Sequence, residues 1–146
     1  MRTLFAVGAT LDATAVAVTA AAAVVISLAP ASLRAQDGLY TPAQAERGVA
    51  SYEAQCVSCH GDLTAFVPEV AALLGDHTFR NRWRGRALGE LFELISVEMP
   101  QDAPGSLSPD ESADLVAYIL SGNRLGAGDT ALPNNPEQLT QRLFGP

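Results

Sequence analysis

Residues 56–60, Cys-Val-Ser-Cys-His, have the types and spacing needed to hold a haem group covalently. Cys-x-x-Cys-His is the attachment sequence of c-type haem. Residues three apart in a helical turn share a face, so Cys56 and Cys59 can both form thioether bonds to the vinyl groups along one haem edge. His60 can then bind the iron as its proximal ligand. The pentapeptide therefore predicts covalent haem c and a redox role.

Other interpretations of the two cysteines are less specific. A dithiol redox motif usually follows a strand in a βαβ unit, and the sequence shows no alternation of strands and helices. A structural zinc site needs four ligands, whereas the chain has two cysteines and two histidines, and His60 directly follows Cys59. A disulfide between Cys56 and Cys59 would close a very small loop and stabilise little. Covalent haem remains the favoured interpretation.

Met99 is the candidate second axial ligand of the iron. Apart from Met1 it is the only methionine, and it precedes Pro100 at the predicted end of a helix, 39 residues after His60. A thioether favours ferrous iron and raises the potential relative to two nitrogen ligands. Two filled axial positions would leave no site for substrate, which favours electron transfer over catalysis at the haem.

Two alternatives to ligation by Met99 stay open. A methionine usually fills gaps in a core, and Met99 can have that role instead. His77, 17 residues after His60, can provide bis-histidine ligation, although its polar surroundings favour a position on the surface or at the haem edge.

A first helix is predicted to lead into the haem motif. Thr41 and Gln44 have the spacing of a capping box, with Pro42 at the first helical position, and the helix should end at about residue 54 or 55. Gly48 and Tyr52, four residues apart, share one face. Glycine is costly inside a helix, so Gly48 predicts close approach by another element, with a tolerated surface glycine as the alternative.

Two further helices are predicted after the motif. Four apolar residues recur at helical spacing over 88–98, and Pro100 ends that helix: Leu88, Leu91, Phe92 and Ile95. A second capping box, from Ser108 to Glu111, opens a helix that should run to about residue 121. The remainder is predicted to be loop, with short helical stretches at 69–74 and 137–144. The fold class is therefore all-α, with three main helices and long loops wrapped round one covalent haem.

Residues 1–35 have the pattern of an export signal, with Arg2 before an uncharged run at 13–29 and small-residue cleavage candidates after it. An uncleaved membrane anchor is the alternative, although a full span needs about 20 apolar residues. Both interpretations place the remainder outside the cytoplasm, in the periplasm. We expect a haem domain at 36–125 and a C-terminal extension at 126–146.

The chain is acidic, with a net charge of −7 and no lysine. After residue 35, seven arginines are set against 15 acidic residues, a net charge of −8. This charge argues against nucleic acid or an anionic membrane surface as a partner. It suits docking on a protein surface that carries a basic patch, or it serves solubility.

Together these residues resemble class I cytochrome c over about residues 41–120. Gly48 and Tyr52 stand eight and four positions before the first haem cysteine, where the family has a small residue and an aromatic residue. Tyr118 corresponds to the aromatic residue of the family's C-terminal helix. The resemblance implies the cytochrome c fold, in which the two terminal helices cross at these positions.

A narrower resemblance is to the monohaem cytochromes and haem subunits that serve quinoprotein alcohol and sugar dehydrogenases. The segments that carry it are 40–48, 74–75, 91–92, 99–100, 104–108 and 113–120, together with Phe79 and Trp83. This resemblance implies a dehydrogenase as electron donor and an oxidase or another cytochrome as acceptor.

The family resemblance also implies roles for Pro68 and Trp83. A proline in the loop after the family's haem motif places a carbonyl that accepts from the outer nitrogen of the proximal histidine. Pro68, eight residues after His60, is the candidate, although residues 64–66 depart from the family pattern. Trp83 and one of the arginines at 80, 82, 84 and 86 are candidates to hydrogen-bond the haem propionates. A solvated charged loop is the alternative for these arginines.

The function predicted from the sequence is a periplasmic single-haem electron carrier. It is predicted not to be an enzyme, and no catalytic residues are assigned. The alternative is a haem-based gas or ligand sensor with a displaceable sixth ligand. A small peroxidase would generally need a second haem or an open iron site, and the sequence indicates neither.

Overall fold

Helices and loops make up the part of the chain that the structure describes, residues 38–63 and 73–145 of a computed structural model. The helices are α1 (Pro42–Gln55), α2 (Val57–His60), α3 (His77–Trp83), α4 (Leu88–Glu98) and α5 (Pro109–Gly122), followed by a 3₁₀ helix at Pro136–Leu139. These ranges contain no strand, only two isolated bridges between single residues. The predicted all-α class is confirmed for the described residues.

The predicted N-terminal segment 1–35 and Pro68 lie outside the described residues. None of the helices in 38–63 and 73–145 has both the length and the apolar content needed to cross a bilayer. The domain boundaries at residues 35/36 and 125/126 stay a prediction.

Both predicted capping boxes are confirmed. At the start of α1, the Thr41 hydroxyl accepts from the Gln44 amide, and the Gln44 side chain accepts from the Thr41 amide. At the start of α5, the Ser108 hydroxyl accepts from the Glu111 amide at 3.2 Å. The Glu111 carboxylate accepts from Ser108 in return, which lowers the pKa of that carboxyl. Each box uses amides that would otherwise lack a partner in the first helical turn.

The two long helices α1 and α5 cross at Gly48, as the family resemblance implied. Beside this crossing, the rings of Tyr52 and Tyr118 meet edge to face, with centroids 5.2 Å apart. The contact is close because glycine has no side chain to separate the helix backbones. The crossing holds α1, the helix that leads into residues 56–60, against α5.

The predicted α4 has the expected bounds, and its apolar stripe is buried. The stripe packs with the buried face of α5 in a core that includes Leu88, Leu91, Phe92, Ile95, Leu115, Val116, Ile119 and Leu120. The helix ends at Met99, whose backbone is extended at φ −116° and ψ 153°. A residue before proline favours this conformation, so Pro100 ends the helix as predicted.

The prediction of loop for residues 77–83 was wrong, because α3 lies there. Its N-cap is Asp76, whose carboxylate accepts from the Phe79 amide at 2.7 Å. Aspartate is among the best N-cap residues, so Asp76 was an available signal. Of the predicted stretch 69–74, residues 69–72 lie outside the described residues, and Leu73 and Leu74 are not helical. The short helix predicted at 137–144 is instead the 3₁₀ helix.

The C-terminal strap, defined here as residues 125–145, packs along the described helices. Leu132, Leu139 and Phe144 are buried in the same core as α4 and α5. The strap pairs with the segment before α1 through a bridge between Tyr40 and Ala127, and with the segment before α4 through a bridge between Ala87 and Leu143.

Candidate functional site

The pentapeptide continues helically from the end of α1. The Cys56 amide donates to the Tyr52 carbonyl at 2.9 Å, and the His60 amide donates to the Cys56 carbonyl at 2.9 Å. Cys59 therefore lies one turn after Cys56, on the same face. Both cysteines are free thiols, so the alternative of a disulfide between them is not observed.

Tyr52 supports the motif from inside the core. Its hydroxyl donates to the carbonyl of Gly61, the residue after His60, at 2.9 Å. Burial is the main cause that raises the pKa of Tyr52, so the phenol stays protonated and remains a donor. Burial also raises the pKa of the Cys56 thiol, with a smaller contribution from Cys59. The two cysteines differ in access, because Cys56 is partly buried and Cys59 is exposed.

A cavity of about 730 Å³ lies beside the motif. Cys56, Cys59 and His60 line one part of it, and Met99 lines another. Its apolar lining comes from α4, α5 and the segment before α3, and includes Leu74, Ile95, Leu115 and Ile119. The fold thus brings together four side chains that the sequence predicted to hold the haem, from positions up to 43 residues apart.

A second cavity of about 470 Å³ adjoins the first, and His60 and Met99 line both. Trp83 lies in its wall with only 3% of its surface exposed. Phe79, one turn earlier on α3, lines the same cavity, with its ring centroid 5.9 Å from that of Trp83. The structure therefore places Trp83 at the cavity with His60 and Met99.

The four arginines of the basic segment have different surroundings. Arg82 lines the second cavity. Arg80 donates to the Gly75 carbonyl at 2.7 Å. The Arg86 guanidinium lies 4.2 Å from the centroid of the Trp83 ring and pairs with the carboxylate of Glu90. Arg84 is exposed. Arg82 is thus the one of the four that lines a cavity shared with His60 and Met99, a choice that the sequence left open.

His77, the alternative axial ligand, begins α3 and is exposed. It lines neither of the two cavities that His60 lines. It lines instead a separate cavity of about 460 Å³ with Arg80 and Arg124. This placement favours Met99 over His77 as the residue opposite His60, although ligation itself stays a prediction.

Comparison with known families finds a match that covers most of the described helices. The family described as "Cytochrome C oxidase, cbb3-type, subunit III" matches residues 43–119, more than half of the chain. The matched range includes the pentapeptide, Trp83, Met99 and most of both helices of the crossing.

Comparison with solved structures finds similarity to the sulfane dehydrogenase SoxCD from Paracoccus pantotrophus, with a TM-score of 0.43 and 19% sequence identity. The match covers 75% of this chain and 61% of the other chain, so this chain spans less than two thirds of the length it is matched with. No curated protein matches the sequence significantly.

Proposed function

Because the chain belongs to the cytochrome c family described as subunit III of cbb3-type cytochrome c oxidase, we propose that it is a periplasmic electron carrier with one haem c, bound axially by His60 and Met99. Membership of this family implies covalent haem c and electron transfer. The count of one haem is proposed because the sequence contains a single Cys-x-x-Cys-His and no other cysteine.

The observation that carries the proposal is the shared cavity lining of Cys56, Cys59, His60 and Met99. These side chains supply two thiols, an imidazole and a thioether, which is the donor set of a covalent haem with His/Met ligation. The apolar walls and the volume of about 730 Å³ suit a large flat cofactor. The residues present therefore fit haem c. When bound, the haem supplies an iron that alternates between the ferrous and ferric states.

The protein's own side chains would do three things around this group. The two cysteines would attach its edge, with exposed Cys59 marking where that edge reaches the surface. His60 and Met99 would bind the iron and exclude other ligands. Arg82 and Trp83, which line the second cavity, would supply a cation and a hydrogen-bond donor to the haem carboxylates.

The partners that we propose are other redox proteins. A dehydrogenase is the proposed donor, and quinoprotein dehydrogenases are the class that the sequence resemblance favours. The proposed acceptor is a terminal oxidase or another cytochrome. Export through residues 1–35 would place the protein in the periplasm, where cysteine–haem attachment takes place.

Absorbance spectra of the denatured protein test whether the haem is covalently attached. Haem should stay with the full-length protein through acid–acetone extraction and give the pyridine spectrum of a doubly thioether-linked haem. Cys56→Ser and Cys59→Ser should each give the spectrum of a single thioether, and the double variant should release its haem. Wild-type protein that loses its haem in this treatment would falsify the proposal.

Binding of carbon monoxide distinguishes an electron carrier from a haem-based gas sensor. The reduced native protein should not bind carbon monoxide, because Met99 fills the sixth position. Rapid binding at neutral pH would favour a gas sensor with a displaceable ligand instead. Reduction of the purified protein by a quinoprotein dehydrogenase and its substrate tests the donor class.

A further inference from the structure

The C-terminal strap lies after the range that matches the family, which ends at residue 119. We propose that this strap is a positioning element of the haem site: it holds the first turn of α4, the helix that ends at Met99, and it holds Trp83 in the cavity wall. This inference rests on the proposed function.

The strap supplies a hydrogen-bond acceptor to the first turn of α4. Ala87, the N-cap of this helix, makes no side-chain capping bond. The Leu88 amide, which lacks a helical partner, donates instead to the Arg142 carbonyl of the strap at 2.7 Å. At the next residue, Gly89, a Cβ atom would lie 2.6 Å from the Pro136 carbonyl oxygen. The backbone of the strap therefore lies directly on the first turn of the helix that carries Met99 at its other end.

The strap also supports Trp83 through successive contacts between aromatic rings. The Phe144 ring meets Phe79 edge to face, with centroids 5.7 Å apart and planes at 76°. Phe79 in turn contacts Trp83, and both line the cavity with His60 and Met99. Phe144 is only 2% exposed, so its ring is buried in the core.

Backbone hydrogen bonds hold Phe144 in that position. The Gly85 amide donates to the Phe144 carbonyl at 3.0 Å, and the Phe144 amide donates to the Arg86 carbonyl at 2.9 Å. These two bonds join the strap to the turn between α3 and α4. A displacement of Phe144 would therefore move the segment that connects Trp83 to α4.

The other part of the strap is anchored on α1. The Gln44 side chain, which is buried, donates to the Leu132 carbonyl at 2.9 Å and accepts from the Leu132 amide at 2.7 Å. The Tyr40 hydroxyl donates to the Leu125 carbonyl at 3.0 Å. Because α1 leads into Cys56, the strap joins the helix before the proximal ligand to the helix before Met99.

A matched pair of variants in the haem-loaded full chain tests this role. Phe144→Ala removes the ring that contacts Phe79, and Leu132→Ala removes a buried side chain from the part of the strap on α1. Both should lower the free energy of unfolding. Only Phe144→Ala should weaken the thioether–iron charge-transfer absorption of the ferric protein, with a roughly tenfold shift in the equilibrium towards loss of Met99 from the iron. Phe144→Leu, a milder change, should give a smaller shift in the same direction.

Hydrogen exchange gives a second readout that does not depend on the haem spectrum. Amides 88–91 should exchange faster in Phe144→Ala than in Leu132→Ala, because the former loosens the strap where it covers α4. The inference is overturned if folded Phe144→Ala keeps the wild-type absorption and midpoint potential, or if Leu132→Ala changes them as much. Wild-type protein without covalent haem or without the absorption band would instead refute the proposed function.

Discussion

Gly48 on α1 lies against the main-chain carbonyl of Asp114 on α5. A Cβ atom at residue 48 would lie 2.1 Å from the Asp114 oxygen and 2.8 Å from the Tyr118 Cβ atom. The obstacle is backbone, so no side-chain rotation can relieve it. The helix that leads into the haem motif is therefore held in contact with α5 by the absence of one side chain.

Gly48→Ala should force the two helices apart and lower the free energy of unfolding by about 1–3 kcal/mol, the usual cost of overpacking. Urea denaturation measures this. Gly126→Ala is the matched control, since a Cβ atom there would meet nothing within 4 Å. Equal stability of the two variants would show that the crossing tolerates a side chain.

Met99→Ala should remove the thioether–iron charge-transfer band and lower the midpoint potential, because the soft ligand that favours ferrous iron is lost. His77→Ala should change neither, since His77 is exposed and lines a different cavity. Visible spectra recorded during a redox titration measure both quantities. Loss of low-spin character in His77→Ala, with Met99→Ala unchanged, would assign the sixth position to His77.

Arg82→Gln should lower the midpoint potential by a few tens of millivolts, because removal of a nearby positive charge favours ferric iron. Arg84, two residues away, is exposed like Arg82 but does not line the second cavity, so Arg84→Gln should have a much smaller effect. The difference in midpoint potential between the two variants should decrease as salt is added, since salt screens exposed charges. Potentials measured at low and high ionic strength check this, and equal shifts in the two variants would exclude a specific role for Arg82.

Asp76→Ala should cost about 1 kcal/mol of stability at neutral pH by removing the N-cap of α3. Hydrogen bonding to the Phe79 amide is the main cause that lowers the pKa of Asp76 from its ordinary value of 3.8. Because the folded-state pKa is the lower one, the stabilisation is complete above 3.8 and is lost as the pH falls through the folded-state value. The difference in free energy of unfolding between wild type and Asp76→Ala should therefore decrease at acidic pH.

Asp76→Asn provides the control for this pH dependence. Asparagine caps a helix about as well as aspartate but does not titrate. Asp76→Asn should keep near-wild-type stability at neutral pH. The difference in free energy of unfolding between Asp76→Asn and Asp76→Ala should stay nearly constant below pH 3.8, because asparagine has no proton to gain. Urea unfolding at several pH values measures all three proteins. A difference between wild type and Asp76→Ala that is independent of pH would contradict the assigned role of the carboxylate.

Asn123→Asp should be more destabilising than Asn123→Ala at neutral pH. The buried Asn123 amide donates to the carbonyls of Leu74 and Ile119, at 2.7 and 2.8 Å. A carboxylate would face both carbonyl oxygens without a proton to donate, whereas alanine loses the hydrogen bonds without burying a charge. Burial would raise the pKa of the new carboxyl, so its penalty should decrease as the pH falls. An Asp variant as stable as wild type at neutral pH would contradict this.

Much of the helical framework was predictable because its signals are local. The capping boxes at Thr41 and Ser108 depend on hydrogen bonds within four residues, and the stripe on α4 depends on helical periodicity. The helix α3 was missed because Gly75 resembles a helix stop and the arginines that follow resemble a solvated loop. The decisive signal, Asp76 as N-cap, is a single residue that is equally common in turns.

The packing of the strap could not be derived from local patterns. Leu132, Leu139 and Phe144 have no helical or strand period, and polar residues, glycine and proline separate them. Their burial depends on partners that are distant in sequence, as in the bond between Leu132 and Gln44, 88 residues apart. Contacts of this kind exist only once the chain has folded.

The sequence by itself determined the chemistry: two thiols and an imidazole within five residues, and a methionine placed at a helix end by the proline that follows it. These are properties of residue type and neighbouring backbone. The tertiary structure alone decided that Met99 shares a cavity with His60 while His77 does not, and that Arg82 is the arginine that lines the adjoining cavity. Such choices depend on how helices cross and rotate against one another, which long-range packing sets and local sequence does not encode.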